Sequence, residues 1–269
     1  MPRARGTPAG QGAGFALRTG VALLIATAAS PVRAQTDEIQ VYDAQIAAPG
    51  VLNLTWHDNF TPSGQQTAAA PGLLVPHHSL NGVPEWGYGV TRWFEAGLYL
   101  PLYTVTGDGR VLLDGFKLRA LFVKPHAAES RFFYGVNFEF SFNRRHWDPD
   151  RHTSEIRPIV GWHIGHLDLI FNPILDNSYK GFANLDFAPA TRLAWNLSSR
   201  WALAAEEYAD FGPLRHFYAR DQQSHQLFAV LNYEAAPLSI EVGMGFGLTS
   251  ATDQRVLKLI LARDLNGRP

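Results

Sequence analysis

The chain has 269 residues, of which 46% are hydrophobic, 12% aromatic and only 17% charged, against about 25% charged in an ordinary soluble domain. Such a composition excludes a disordered chain, a coiled coil and a collagen-like rod. The balance of 23 basic and 24 acidic side chains excludes a strongly basic nucleic-acid binder, and the absence of cysteine removes disulfides, thiolate metal sites and cysteine nucleophiles together.

Residues 1–34 have the pattern of a secretory signal. Arg3, Arg5 and Arg18 precede the apolar run Val21 to Ala29, and Val32-Arg33-Ala34 offers a cleavage site. Removing this segment takes away four arginines and no acid, leaving 19 basic against 24 acidic residues. No later stretch has the roughly 18 apolar residues of a membrane helix. Ile39 to Ala47 alternates like a strand but is cut off by Pro49-Gly50, so 35–50 is expected to be a lead-in.

From 51 onward the chain alternates with period two. Phe132, Tyr134, Val136, Phe138, Phe140 and Phe142 fall on one parity, with Gly135, Asn137, Glu139, Ser141 and Asn143 on the other. Leu238 to Thr249 repeats the pattern with Gly243, Gly245 and Gly247 on the polar parity. Each segment reads as a strand with an oily face and a polar or glycine face. Twelve strands follow: 51–60, 84–91, 94–104, 114–123, 131–143, 153–164, 167–176, 183–197, 200–211, 223–233, 238–249 and 255–265. Tight connectors such as Gly165-His166 and Ser198-Ser199 alternate with longer polar ones, and Trp93, Trp162, Trp195, Trp201 and Tyr233 sit beside the tight turns. This describes an all-β fold, a closed antiparallel transmembrane β-barrel over 51–269 with short periplasmic turns, longer outer loops and an aromatic girdle. A soluble β-sandwich would have to expose a glycine-rich face and would leave the loop asymmetry unexplained.

Glu85-Trp86-Gly87-Tyr88-Gly89-Val90-Thr91 followed by Phe94 to Pro101, Trp201-Ala202-Leu203 leading to Glu206 to Gly212, and the final Leu257-Lys258-Leu259 strand together resemble small porin-like outer-membrane β-barrel proteins of proteobacteria, of the kind linked to phenol meta-pathway clusters. The resemblance implies passage of small molecules through the outer membrane of a Gram-negative bacterium. The chain departs from the usual aromatic barrel terminus, ending Leu265-Asn266-Gly267-Arg268-Pro269. The implied partners are outer-membrane lipids, the barrel assembly machinery and a small solute, with no nucleic acid.

Three constellations could carry chemistry. His77-His78-Ser79 supplies the His-x-Ser of outer-membrane lipid hydrolases, in which His activates Ser, but Leu80 is inserted before Asn81, and Pro76 and Pro84 suggest loop. His146, Asp148, Asp150 and His152 share a loop and suit a borderline cation such as zinc, although alternation and Pro149 oppose their convergence. The Gly243-x-Gly245-x-Gly247 run imitates a nucleotide fingerprint but lies inside a strand rather than at a helix start. We therefore expect no catalytic site, cofactor or resident metal.

Parity sends ten acids to the lumen (Glu85, Glu95, Glu139, Glu155, Asp168, Asp176, Asp186, Glu206, Asp210 and Glu241) against five bases (Lys117, Arg119, Arg157, Arg192 and Lys258). Hairpin spacing predicts that Glu139 lies between Lys117 and Arg157, and that Arg192 lies between Asp168 and Glu206. These six residues are the candidate constriction of a narrow or gated channel. An outer-membrane lipid hydrolase around His77 and Ser79, or a closed structural or binding barrel filled by side chains and loop 61–83, are the alternatives.

Overall fold

A computed structural model describes residues 38–266; the expected signal segment, 1–34, lies outside these. The strands are β1 (Leu52–Ser63), β2 (Leu80–Gly89), β3 (Phe94–Val105), β4 (Val111–Val123), β5 (Phe132–Asn143), β6 (His152–Ile164), β7 (Leu167–Asn172, continued as Leu175–Asn177), β8 (Asp186–Phe187, continued as Ala190–Asn196), β9 (Trp201–Asp210, continued as Gly212–Pro213), β10 (Ser224–Tyr233), β11 (Ser239–Gly247) and β12 (Arg255–Asp264). Each pairs antiparallel with its sequence neighbours, and β12 pairs with β1, so the sheet closes into a twelve-stranded barrel. Closure gives every strand two partners and leaves no edge, the condition for a sheet surrounded by hydrocarbon. Among the described residues the only helices are two three-residue turns, Ala127–Glu129 and Phe182–Asn184.

The outward parity is the expected one. Phe138 and Phe140, with Trp86, Leu118, Leu203 and Val242, face away from the lumen and are exposed. Trp93, Trp162, Trp195 and Trp201 ring the short-turn rim. Five strands carry irregularities that alternation did not foretell, four of them at prolines. β2 begins at Leu80 rather than 84 and carries Pro84 inside it, at a register shift against β3 between Gly82 and Glu85. On β3 the facing Pro101 lies in a second shift between Tyr99 and Leu102. A bulge is where a strand tolerates a residue without an N–H. Pro173 and Pro189 interrupt β7 and β8 for the same reason, and Phe211 interrupts β9 just before Gly212, whose φ of +80° a side chain would strain.

Residues 38–50 form no strand. They run from the short-turn rim, where the Gly50 N–H donates to Gly89 O at 2.7 Å, into the lumen. Val41, Tyr42 and Ala44 are buried against inward-facing Leu121, Val123, Phe133, Ile159 and Ile170, and Ile39 against Phe228, Val230 and Val256. The lumen is thus filled from the N-terminus rather than by loop 61–83. The glycines that parity aimed inward clear room for these occupants: a Cβ on Gly89 would stand 2.2 Å from Ala48 O, and one on Gly245 2.4 Å from the Phe228 ring.

If the outward face meets lipid, Phe138→Arg should cost about 2–4 kcal/mol near the bilayer midplane. Urea unfolding of the purified barrel reads this directly, and an unchanged midpoint would mean that this outward face does not meet lipid.

Candidate functional site

The lumen holds two charge clusters, one on β1–β6 and one on β8–β12. In the first, the Arg119 guanidinium on β4 bridges Glu85 on β2 at 2.7 Å and Glu95 on β3. Gly97 faces Arg119 in the β3–β4 register, and a Cβ there would stand 2.6 Å from its Nε. Glu85 also meets His57 Nε2 at 3.1 Å. On β5, Glu139 accepts from Asn137 Nδ2 at 2.9 Å and pairs with Lys117 Nζ at 3.4 Å. Arg157 on β6 holds Glu155 with two parallel bonds, Nε to Oε1 at 2.6 Å and Nη2 to Oε2 at 2.9 Å. A fork of this kind is the strongest carboxylate contact a side chain makes.

In the second cluster, Lys258 on β12 has a fully buried side chain and lies 2.5 Å from both Glu206 and Glu241. Arg192 on β8 bonds Glu206, which faces it directly in the β8–β9 register, reaches Glu241 at 3.3 Å and donates to Asn232 Oδ1 at 2.6 Å. The Tyr208 hydroxyl donates to Glu206 at 2.7 Å. No oxygen of Glu206 is left facing a bare wall, as a buried carboxylate requires.

Both predicted triads are only half formed. Lys117 and Glu139 meet, but the β5–β6 register sets Glu139 opposite Glu155, and Arg157 turns to Glu155 and to Glu38, 3.8 Å away. Arg192 and Glu206 meet, but Asp168 lies opposite Ala194 and bonds His163 at 2.6 Å and Asn196 at 2.7 Å near the short-turn rim. Glu241 and Lys258 take the place in the second cluster that was expected of Asp168. Parity sends both to the lumen, but no hairpin spacing brings Lys258 to Glu206 or Glu241 to Arg192.

The residues that sequence reasoning missed lie on the lead-in, and the clusters hold it by its backbone. Lys258 Nζ donates to Ile39 O at 3.3 Å and Arg157 Nη1 to Gln40 O at 3.0 Å. Asn172, fully buried on β7, accepts from the Tyr42 N–H at 2.8 Å and returns a bond to Tyr42 O at 3.0 Å. Glu95 accepts from the Ala47 N–H at 2.5 Å. The Tyr42 hydroxyl lies 2.6 Å from that of Tyr99, and the Arg157 guanidinium stacks 4.4 Å from the Tyr42 ring centre. The signal for this was the alternation of Ile39 to Ala47, which has the apolar content of a packed segment but no partner strand.

The other constellations disperse. The Ser79 hydroxyl donates to Pro76 O at 2.7 Å, while His77 Nδ1 accepts from the Gly64 N–H at 3.3 Å and its ring stacks on His78, so His77 and Ser79 do not form a nucleophile–base pair. His146 bonds Asp114 at 2.9 Å, Asp150 pairs with Lys180 at 2.5 Å, and His152 packs on Phe142. Asp148 accepts from the Asp150 N–H, and burial raises its carboxyl above the ordinary aspartate range. Among the described residues no three His, Asp or Glu side chains converge on a metal-sized point.

No family model matches the sequence, and no curated protein matches it. Among solved structures the chain is similar to the COG4313 outer membrane channel from Pseudomonas putida F1, with 13% identity over 85% of this chain and 100% of that chain and a TM-score of 0.56. It also aligns with a bacterial polysaccharide outer membrane secretin (9% identity, 82% of this chain and 100% of that chain, TM-score 0.42). A third match is the translocator domain of autotransporter NalP from Neisseria meningitidis (11% identity, 82% of this chain and 90% of that chain, TM-score 0.43). The fold is that of an outer-membrane β-barrel. At these identities the likeness reaches the fold alone, and none of the comparisons carries a link to phenol meta-pathway clusters.

Lys258→Met would leave Glu206 and Glu241 with one cation between them in a buried site. It should cost about 3–5 kcal/mol, whereas Asp168→Asn, at a partly exposed pair, should cost under about 1 kcal/mol. Unfolding midpoints of the two variants in urea check the ranking.

Proposed function

We propose that the protein is an outer-membrane channel for small solutes or ions, with its short turns in the periplasm, and that residues 38–50 close it in the state described here. One observation carries this reading. Residues 38–49 are held in the lumen by side chains of the wall, not by strand pairing, so they can leave without breaking a rung of the barrel. Lys117, Glu139, Arg157, Arg192 and Glu206, which the sequence nominated for a constriction, line the path it occupies, together with Lys258 and Glu241; Asp168 stands apart at the rim. Nothing in the bonding of His77 or Ser79 favours hydrolysis.

The opened lumen would favour cations. Glu155, Asp176 and Asp186 face one another in register across β6, β7 and β8, and Asp210 stands at the end of β9. Arg157 pairs with this row through Glu155.

Single-channel recording of purified protein in planar bilayers tests the proposal. Deleting residues 38–48 should raise the conductance several-fold over the full chain, and the reversal potential of the deleted form in a salt gradient should favour the cation. A folded, heat-modifiable deletion variant that conducts no better than the full chain would leave a closed structural barrel as the reading. Anion preference would overturn the acidic row as the selecting element. The protein should also fractionate with the outer membrane and resist carbonate extraction.

A further inference from the structure

The long-loop rim is electrostatically lopsided. Seven lysines and arginines lie in the connectors on this rim, and six of them (Arg144, Arg145, Arg151, Lys180, Arg215 and Arg220) are on the three loops that follow β5, β7 and β9. All six are exposed, against three aspartates on the same loops, one of which, Asp150, is taken by Lys180. Arg144, Arg145, Arg151, Arg215 and Arg220 make no ion pair among the described residues.

The same three loops carry apolar side chains with nothing over them. Phe182 is 90% exposed, and Tyr179, Leu214 and Phe217 are each about half exposed. The loops form one surface: the Leu214 N–H donates to Leu185 O at 2.8 Å and the Arg215 N–H to Ala183 O at 3.2 Å, while Tyr179 packs 6.3 Å from Phe140 on the outward face. Directly below, Phe116, Phe142 and His152 continue the outward aromatic wall. A phenylalanine left bare in aqueous solvent between cationic side chains is poorly placed, but at the level where acyl chains meet phosphates it is well placed.

We propose that this flank docks a phosphorylated, acylated glycolipid of the surrounding outer leaflet, of the lipid A type. The exposed guanidinium groups and Lys180 would take its phosphates, for which an arginine fork is suited. Phe182, Tyr179, Leu214 and Phe217 would take the upper segments of its acyl chains. The opposite flank lacks the cationic half of this arrangement: the connectors 64–79 and 248–254 contain no lysine or arginine. The proposal rests on the outer-membrane placement given above, with the long loops outward.

Native mass spectrometry of the full chain in detergent, offered bis-phosphorylated lipid A or its fully dephosphorylated form, tests it. Wild type should retain the phosphorylated lipid at least about tenfold better, and inorganic phosphate should not displace it. The triple variant Arg145→Gln, Lys180→Gln, Arg215→Gln should lose that preference, and Phe182→Ser should weaken both lipids, with heat-modifiable migration confirming that each variant is folded. Equal retention of the two lipids by wild type, an unchanged preference in the triple variant, or displacement by phosphate alone would overturn the proposal. A barrel that inserts into bilayers but shows no preference defeats only this inference, whereas a chain that does not partition into membranes defeats the proposed function.

Discussion

A stretch of backbone that enters a closed barrel without joining its sheet brings amide and carbonyl groups that need partners, and here the wall supplies them from side chains. Burying such groups unpaired costs far more than the net gain of a made bond. Lys258, Arg157, Asn172 and Glu95 each spend a donor or acceptor on the backbone of residues 39–47. Those side chains stand on four separate strands, so the position of the lead-in depends on the register of most of the barrel. The inward apolar patches, and the cations that reach the lead-in from each charge cluster, are arranged around that one strand-free segment.

Much of the barrel was legible because period-two alternation is a direct consequence of the pleat and survives in every strand. What alternation does not encode is register along long connectors. The two-residue turn Ser198-Ser199 leaves almost no freedom, and hairpin spacing across it correctly brings Arg192 opposite Glu206. The connector between β7 and β8 contains the turn Phe182–Asn184 and slides the pairing, so Asp168 meets Ala194 and loses Arg192. The connector between β4 and β5 contains the turn Ala127–Glu129 and puts Lys117 opposite Ser141, three positions beyond the expected 138, which leaves Lys117 diagonal to Glu139. Long arginine and lysine side chains then choose among several acids within reach, and that choice is made in three dimensions.

The lead-in was half legible. Ile39 to Ala47 alternates well enough to be weighed as a thirteenth strand, and Pro49-Gly50 marks where it must turn away. A closed sheet offers no edge for another strand to join. Its apolar side chains therefore had either to meet lipid without a paired backbone or to fill the barrel. Only the second satisfies the backbone, and the large inward residues Leu121, Phe133, Ile159 and Phe228 show which parts of the wall are built to receive it.

The two clusters differ in what they would keep if the lead-in withdrew. Glu206 and Glu241 are matched by Arg192 and Lys258 from the wall alone, and withdrawal frees Lys258 only of its bond to Ile39 O. That cluster is a self-contained rivet between β8 and β12, its ion pairs all made within the wall. The first cluster already sets four wall carboxylates, Glu85, Glu95, Glu139 and Glu155, against Lys117, Arg119 and Arg157, with His57 beside Glu85. Into this acidic excess the lead-in inserts a fifth carboxylate, Glu38, whose nearest cation is Arg157 at 3.8 Å, a guanidinium already committed to Glu155 and Gln40. Like charges brought together in a low-dielectric lumen oppose one another strongly, so Glu38 is the electrostatically weakest of the described lead-in residues, while Tyr42 and the apolar residues beside it are held the most firmly. The lead-in is thus anchored through Tyr42 and its apolar neighbours, and opposed where Glu38 meets the wall carboxylates.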